Sequence, residues 1–200
     1  LNKEELNQLM TFDVSKAILL KNKGQEKRTR KNLQMAQDFF LFCFYACGMS
    51  FVDLAFLEKN NIKDNTITYY RRKTKQKIVI RLTSSMQKII NRYQSATYNS
   101  PYVFPIITKG GNLRLQYQSG LRMQNARLKT LSKLSGLNKA ISTHVSRHSW
   151  ASIAKNEEVS IWVISESLGH TSLKTTYIYL ASLDRSKLDE ANQIVIRAIS

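Results

Sequence analysis

The chain has 200 residues, 42% of them apolar, enough to bury a substantial core in a single domain. Its formal net charge of +17 is unevenly spread, because no acidic residue occurs between Asp64 and Glu157 and that window holds 17 of the 31 lysines and arginines. The other 14 basic residues face all 14 acidic ones, so the whole surplus sits in the middle of the chain. Basic side chains interleaved with tyrosines and apolar residues suit a folded surface facing a polyanion, and nucleic acid is the commonest such partner.

No run of eighteen apolar residues exists, and Leu1 to Glu5 lacks the charged-then-apolar pattern of a secretory signal, so the expectation is a soluble, intracellular protein without a membrane role. Cys43 and Cys47 are four apart in an apolar run. That spacing places them on one helix face as free thiols and excludes a disulfide framework.

In chain order, residues 1–10 read as a short helix and residues 21–27 as an exposed basic loop. A strong helix is predicted from about Thr29 to Ala46, ending at Gly48. Ser50 with Asp53 three residues later gives a capping-box signature for a next helix through Leu57. Residues 66–70 and 78–80 are β-branched and aromatic runs either side of a polar, basic turn, a small antiparallel hairpin or sheet. Pro101 and Pro105 flank a short extended piece. Helical spacing returns at 84–93, about 112–134, 143–155, 160–168 and from 184 onward. The fold class is therefore mainly α with a small antiparallel sheet.

The chemistry concentrates in the last third. Thr143-His144-Val145-Ser146-Arg147-His148 opens a helix, and His144 and Arg147, three apart, share a face on which two donors can meet one phosphate. Leu168-Gly169-His170 reads as a helix ending at glycine with a histidine beyond it, and Tyr179 follows nine residues later. Tyr177 competes as a nucleophile, but on a helix the two tyrosines point roughly 200° apart and cannot address one phosphate. His144 and His148 are four apart like a helical metal pair. No glutamate lies between them and no third ligand is apparent, so no metal or cofactor is expected and His148 is read as structural or supporting. Trp162 is read as core or as a wall of the site.

This combination resembles the tyrosine recombinases, or phage integrase family, along nearly the whole chain. The resemblance implies a helical catalytic domain around a small sheet that cleaves DNA without metal through a covalent 3′-phosphotyrosine. It selects Tyr179 over Tyr177 as nucleophile and places Arg147, His144 and His170 around the phosphate. It assigns Lys73, with Lys75 as the alternate, as the acid for the leaving 5′-oxygen. Arginine offers a planar fork for two phosphate oxygens. A tyrosine of ordinary pKa near 10 needs proton removal or cationic surroundings to attack at neutral pH, and His144 is assigned as that base.

One position departs from the family. Ser50 stands where the family carries an arginine before a helix, a substitution that resembles integrases of conjugative transposons and related mobile elements. Ser50 has an independent role as helix N-cap. Reading residues 71–73 as strand puts Arg71 and Lys73 on one face, so Arg71 is the expected substitute and Arg72 points away toward DNA backbone or solvent.

The resemblance also implies that residues 1–200 are the catalytic domain of a longer recombinase, lacking the family's amino-terminal DNA-clamping domain. The partners it implies are double-stranded DNA, further copies in a tetramer and accessory DNA-bending proteins, and the place is the bacterial cytoplasm. Residues 184–200 carry an apolar stripe that either folds back or docks on a neighbouring protomer. The competing expectation is a catalytically silent DNA-binding module derived from such an enzyme.

Overall fold

A computed structural model describes residues 1–17, 23–108, 110–182, 193 and 195–197. Eight α-helices, two short 3-10 helices (Val14–Lys16 and Lys59–Asn61) and one sheet are described, the α-helices and strands being α1 (Lys3–Thr11), α2 (Lys23–Tyr45), α3 (Phe51–Ala55), β1 (Ile62–Lys63), β2 (Thr66–Tyr70), β3 (Lys77–Arg81), α4 (Ser84–Tyr93), α5 (Leu113–Leu134), α6 (Thr143–Asn156), α7 (Ile161–Ser167) and α8 (Leu173–Ser182). The apolar stripe expected over 184–200 lies outside the described residues, apart from residue 193 and residues 195–197.

Helix α2 is the axis of the fold, packing against α4, α5 and α6. Its apolar run buries Phe39, Phe40 and Phe42, with the Phe42 and Phe39 rings meeting Phe104 at 4.9 and 5.2 Å between centroids. Each fully buried side chain of this size stabilises by about 1.5–3 kcal/mol. Asp38, also buried on α2, accepts hydrogen bonds from Tyr93 Oη and Arg92, which satisfies a carboxylate that would otherwise be costly to desolvate.

The sheet is antiparallel in the order β1-β2-β3, with Ile67 opposite Ile80 and Tyr69 opposite Ile78. These four side chains face the core, while Tyr70 and Val79 point to solvent. A second, smaller apolar cluster joins Ala151, Ala154, Ile164, Leu168 and Leu180, with Tyr179 packed against it. The helical hairpin of α7 and α8 is thus fastened to α6 by its own small core, beside the main one.

Three local expectations need correction. Helix α2 begins at Lys23 and not near Thr29, so residues 23–27 are helical; Glu26 in the first turn complements the positive helix end. Strand β2 ends at Tyr70, and residues 71–76 form the tip of the hairpin. There the Arg71 N–H donates to the Gln76 carbonyl, and the Lys75 N–H to the Arg71 carbonyl, both at 2.8 Å. Arg71 and Lys73 therefore do not share a strand face, because the chain has already turned. Cys47 lies beyond the end of α2 at φ 53°, so it does not continue the helix face of Cys43, though both thiols are free as expected.

Candidate active site

The site is built where α6, the α7 to α8 turn and the hairpin tip converge. Arg147 occupies the second turn of α6 and is only 5% exposed. Its fork is held open by backbone, since Nη1 donates to the Gly48 carbonyl at 2.8 Å and Nη2 to the Leu168 carbonyl. Burial, and next the charge of Arg71, pull its pKa down to about 10, which still leaves it cationic at neutral pH. Gly48 is required for this approach. Its φ is +73°, and a Cβ there would stand 3.2 Å from Arg147 Cγ.

Arg71 reaches the same place from the hairpin tip. It is 8% exposed, its Nη1 donates to the Gly169 carbonyl at 3.1 Å, and its Nε lies 3.8 Å from Asp53 Oδ2. Thr74 Oγ1 donates to the same Gly169 carbonyl at 2.9 Å, so the hairpin tip is clamped to the Leu168-Gly169-His170 turn. Asp53 is in turn held by Ser50 Oγ at 2.6 Å and by the Arg72 N–H at 2.8 Å. The expected capping box is thus half present. The Ser50 hydroxyl caps the Asp53 N–H, but the Asp53 carboxylate turns toward the hairpin.

Gly169 is the tightest point of this clamp. At φ +60° it holds a conformation disfavoured for other residues, and a Cβ would sit 2.8 Å from Arg71 Cδ and 2.9 Å from Ile78 Cδ1. Gly169→Ala is expected to cost about 1–3 kcal/mol of stability, read from urea unfolding curves, and to displace Arg71.

Tyr179 lies on α8 between two imidazoles. Its ring stacks on His148 at 5.1 Å and 18° and meets His170 edge-on at 5.6 Å and 79°. Burial raises the phenol pKa. The Arg147 charge, then that of Arg71 and a hydrogen bond with Arg147, pull it the other way. Tyr177 is 59% exposed on the opposite side of α8, as the helical angle between the two tyrosines requires.

His170 Nε2 is 3.3 Å from Arg147 Nη2, and its Nδ1 is 2.8 Å from Thr176 Oγ1. Burial, then the charges of Arg147, Arg71 and Lys73, depress its pKa to about 4, so the ring is neutral at pH 7. His144, in the first turn of α6, packs edge-on against His148 at 5.3 Å. Both have lowered pKa values, first by desolvation and then by neighbouring cations. No third metal-ligating side chain joins them among the described residues.

These shifts fix a pH dependence. The unfolded chain takes up protons on its histidines below about pH 6.5, while folded His170 resists down to about 4, so stability present above 6.5 is lost progressively as pH falls through that window. Urea midpoints should drop between about pH 7 and about pH 5, and His170→Gln should flatten that slope.

Of the residues expected from sequence, Arg147, His170, Tyr179 and Arg71 come together directly. His144 touches the group through His148. Lys73 is exposed in the hairpin turn, near enough for its charge to act on His144 and His170. Arg72 is exposed, as expected of a side chain directed away from the site, and its guanidinium lies 3.9 Å over the Phe56 ring. Trp162 is 64% exposed, so the core reading does not hold, and it lines a cleft with His170, Gly169 and Lys77. Sequence spacing carries no signal for the contacts of Thr74 and Thr176, whereas the supporting role expected of His148 agrees with its packing between His144 and Tyr179.

The site thus joins a buried arginine fork to a half-buried tyrosine, with two imidazoles packed against the phenol ring. The phage integrase family matches residues 1–186, and the chain belongs to that family. A tyrosine recombinase of Pseudothermotoga lettingae is 23% identical over 175 residues, covering 85% of this chain and 58% of the relative. The fold matches the site-specific recombinase XerH bound to a palindromic difH substrate in a post-cleavage complex, with TM-score 0.64 and 20% identity over 97% of this chain and 52% of that one. It also matches the Tn1549 transposon integrase in complex with transposon right end DNA, with TM-score 0.56 and 13% identity over 95% of this chain and 71% of that one. The chain thus spans little more than half the length of the curated relative.

Proposed function

We propose that this chain is the catalytic domain of a site-specific DNA recombinase that breaks and rejoins strands through a 3′-phosphotyrosine. The observation that carries the reading is Tyr179 stacked on His148 and set edge-on to His170, with the two buried arginines Arg147 and Arg71 beside it.

In the proposed reaction the Tyr179 oxygen attacks phosphorus, its proton passing to His144 as base, and the bond to the 5′-oxygen breaks. That oxygen leaves as a hydroxyl with a proton from Lys73. Arg147 and Arg71 stabilise the negative charge that grows on the non-bridging oxygens, an effect stronger in a partly desolvated site than in water. Rejoining is the same step reversed, with the 5′-hydroxyl as nucleophile. Arg71 stands in for the arginine absent at Ser50. It is charged, buried, and tied through Asp53 to the segment that would have carried that arginine.

The basic window supplies phosphate contacts to duplex DNA, and the exposed apolar residues of α7 and α8, Trp162, Val163, Tyr177 and Ile178, suit assembly of several copies on DNA. No described helix is long and apolar enough to cross a membrane, and the proposed place of action is the cytoplasm.

The deciding experiment mixes the protein with a nicked suicide duplex carrying its recombination site. A denaturant-resistant protein–DNA adduct is expected, retained in Tyr177→Phe and lost in Tyr179→Phe. Binding without an adduct on that duplex would overturn the reading in favour of a silent DNA-binding module.

A further inference from the structure

We infer that Thr176 is a positioning residue that holds the His170 ring with Nε2 toward the phosphate site and lets the ring's single proton shift between Nδ1 and Nε2. The inference rests on the recombinase reading for its consequence, but its structural content stands on the hydrogen bonds around His170. Arginine has only donors, so at 3.3 Å from Arg147 Nη2 the His170 Nε2 must be the accepting nitrogen. The single proton of the neutral ring is then on Nδ1 and is donated to Thr176 Oγ1 at 2.8 Å.

Such a ring accepts from Arg147 but cannot donate to a phosphate oxygen. When a phosphate takes over the Arg147 fork, Nε2 loses its donor and faces an acceptor. The useful tautomer is then the opposite one. A hydroxyl is the side-chain group that permits this without moving the ring, since it accepts from Nδ1–H or donates to Nδ1 with equal ease. The exchange returns the Nδ1 proton to solvent and takes one onto Nε2, with no net proton change. A carboxylate at this place would accept only and would lock Nδ1–H or charge the ring.

Position strengthens the case. Thr176 is fully buried, so little competing water reaches its hydroxyl, and it lies three residues before Tyr179 on α8. Residues three apart share a helix face. The element that presents the nucleophile therefore also carries the partner of His170, and the correct His170 tautomer is available only when α8 is seated.

The test uses isotope-labelled histidine, which gives a readable spectrum because the chain has three. In the free protein, nitrogen shifts and couplings should show His170 protonated on Nδ1 in the parent and in Thr176→Ser, and a mixed or Nε2-protonated ring in Thr176→Val. On the suicide duplex, Thr176→Val should cleave on the order of ten- to a hundredfold more slowly, with Thr176→Ser within about threefold of the parent. Thermal melting of Thr176→Val separates misfolding from misplacement. An unchanged tautomer in folded Thr176→Val, or a rate equal to the parent's, overturns the inference. Failure of the parent itself to form an adduct strikes the recombinase reading instead, and the free-protein spectra still decide the tautomer.

Discussion

Tyr179→Phe should reduce covalent cleavage of a suicide duplex by roughly 10⁶-fold, the order of loss met when a covalent nucleophile is removed, while the variant folds and binds DNA as the parent does. Phenylalanine keeps the ring that stacks on His148 and packs against the small core of Ile164 and Leu180. Only the oxygen disappears. The companion variant Tyr177→Phe alters an exposed ring on the far side of α8 and should leave cleavage within about twofold. Denaturing gels resolve both, and a residual adduct in Tyr179→Phe would mean that another nucleophile attacks the phosphate.

Arg71→Ala carries the second largest expected effect, a fall of about 10²–10³ in cleavage rate, the range for loss of one donor aimed at developing charge. It should also cost about 3–5 kcal/mol of stability, because it leaves the buried Asp53 carboxylate without its ion-pair partner. Two further variants separate these effects. Arg71→Lys keeps a charge but loses the fork, and should recover stability more fully than rate. Ser50→Arg in the Arg71→Ala background returns a guanidinium three residues from Asp53, at the position where the family carries it. It should regain at least tenfold in cleavage. Parental rates in Arg71→Ala, measured with protein shown to be folded, would remove Arg71 from the site.

The path from Ser50 to Arg71 shows how local and tertiary information divide. A hydroxyl at a helix N-cap is visible in sequence, because the rule depends only on residues three apart. That the Asp53 carboxylate would accept from the Ser50 hydroxyl on one oxygen and from the Arg72 N–H on the other, and lie beside Arg71, could not be read there, since it requires the hairpin tip to fold back over α3. The strand periodicity that points to Arg71 does not extend to that residue, because β2 ends at Tyr70. The arginine still arrives, because the turn at residues 71–76 swings it onto the Gly169 carbonyl. The starting boundary of α2 and the exposed Trp162 show the same limit, for apolar spacing reports a face but not what covers it.

By itself the sequence determined the helical class and the small antiparallel sheet, because periods of 3.6 and 2 are local properties of the chain. It also determined the separation of Tyr179 from Tyr177, which follows from the angle per residue on one helix. It determined the glycine at 169 as a helix stop, though not as a point of contact. The tertiary structure alone decided the neighbours. It sandwiched Tyr179 against His148, turned His170 between Arg147 and Thr176, and buried two arginines side by side around backbone carbonyls. The physical reason is that hydrogen-bond partners and burial depend on elements up to 99 residues apart in the chain meeting at one point, and no local spacing rule carries that distance.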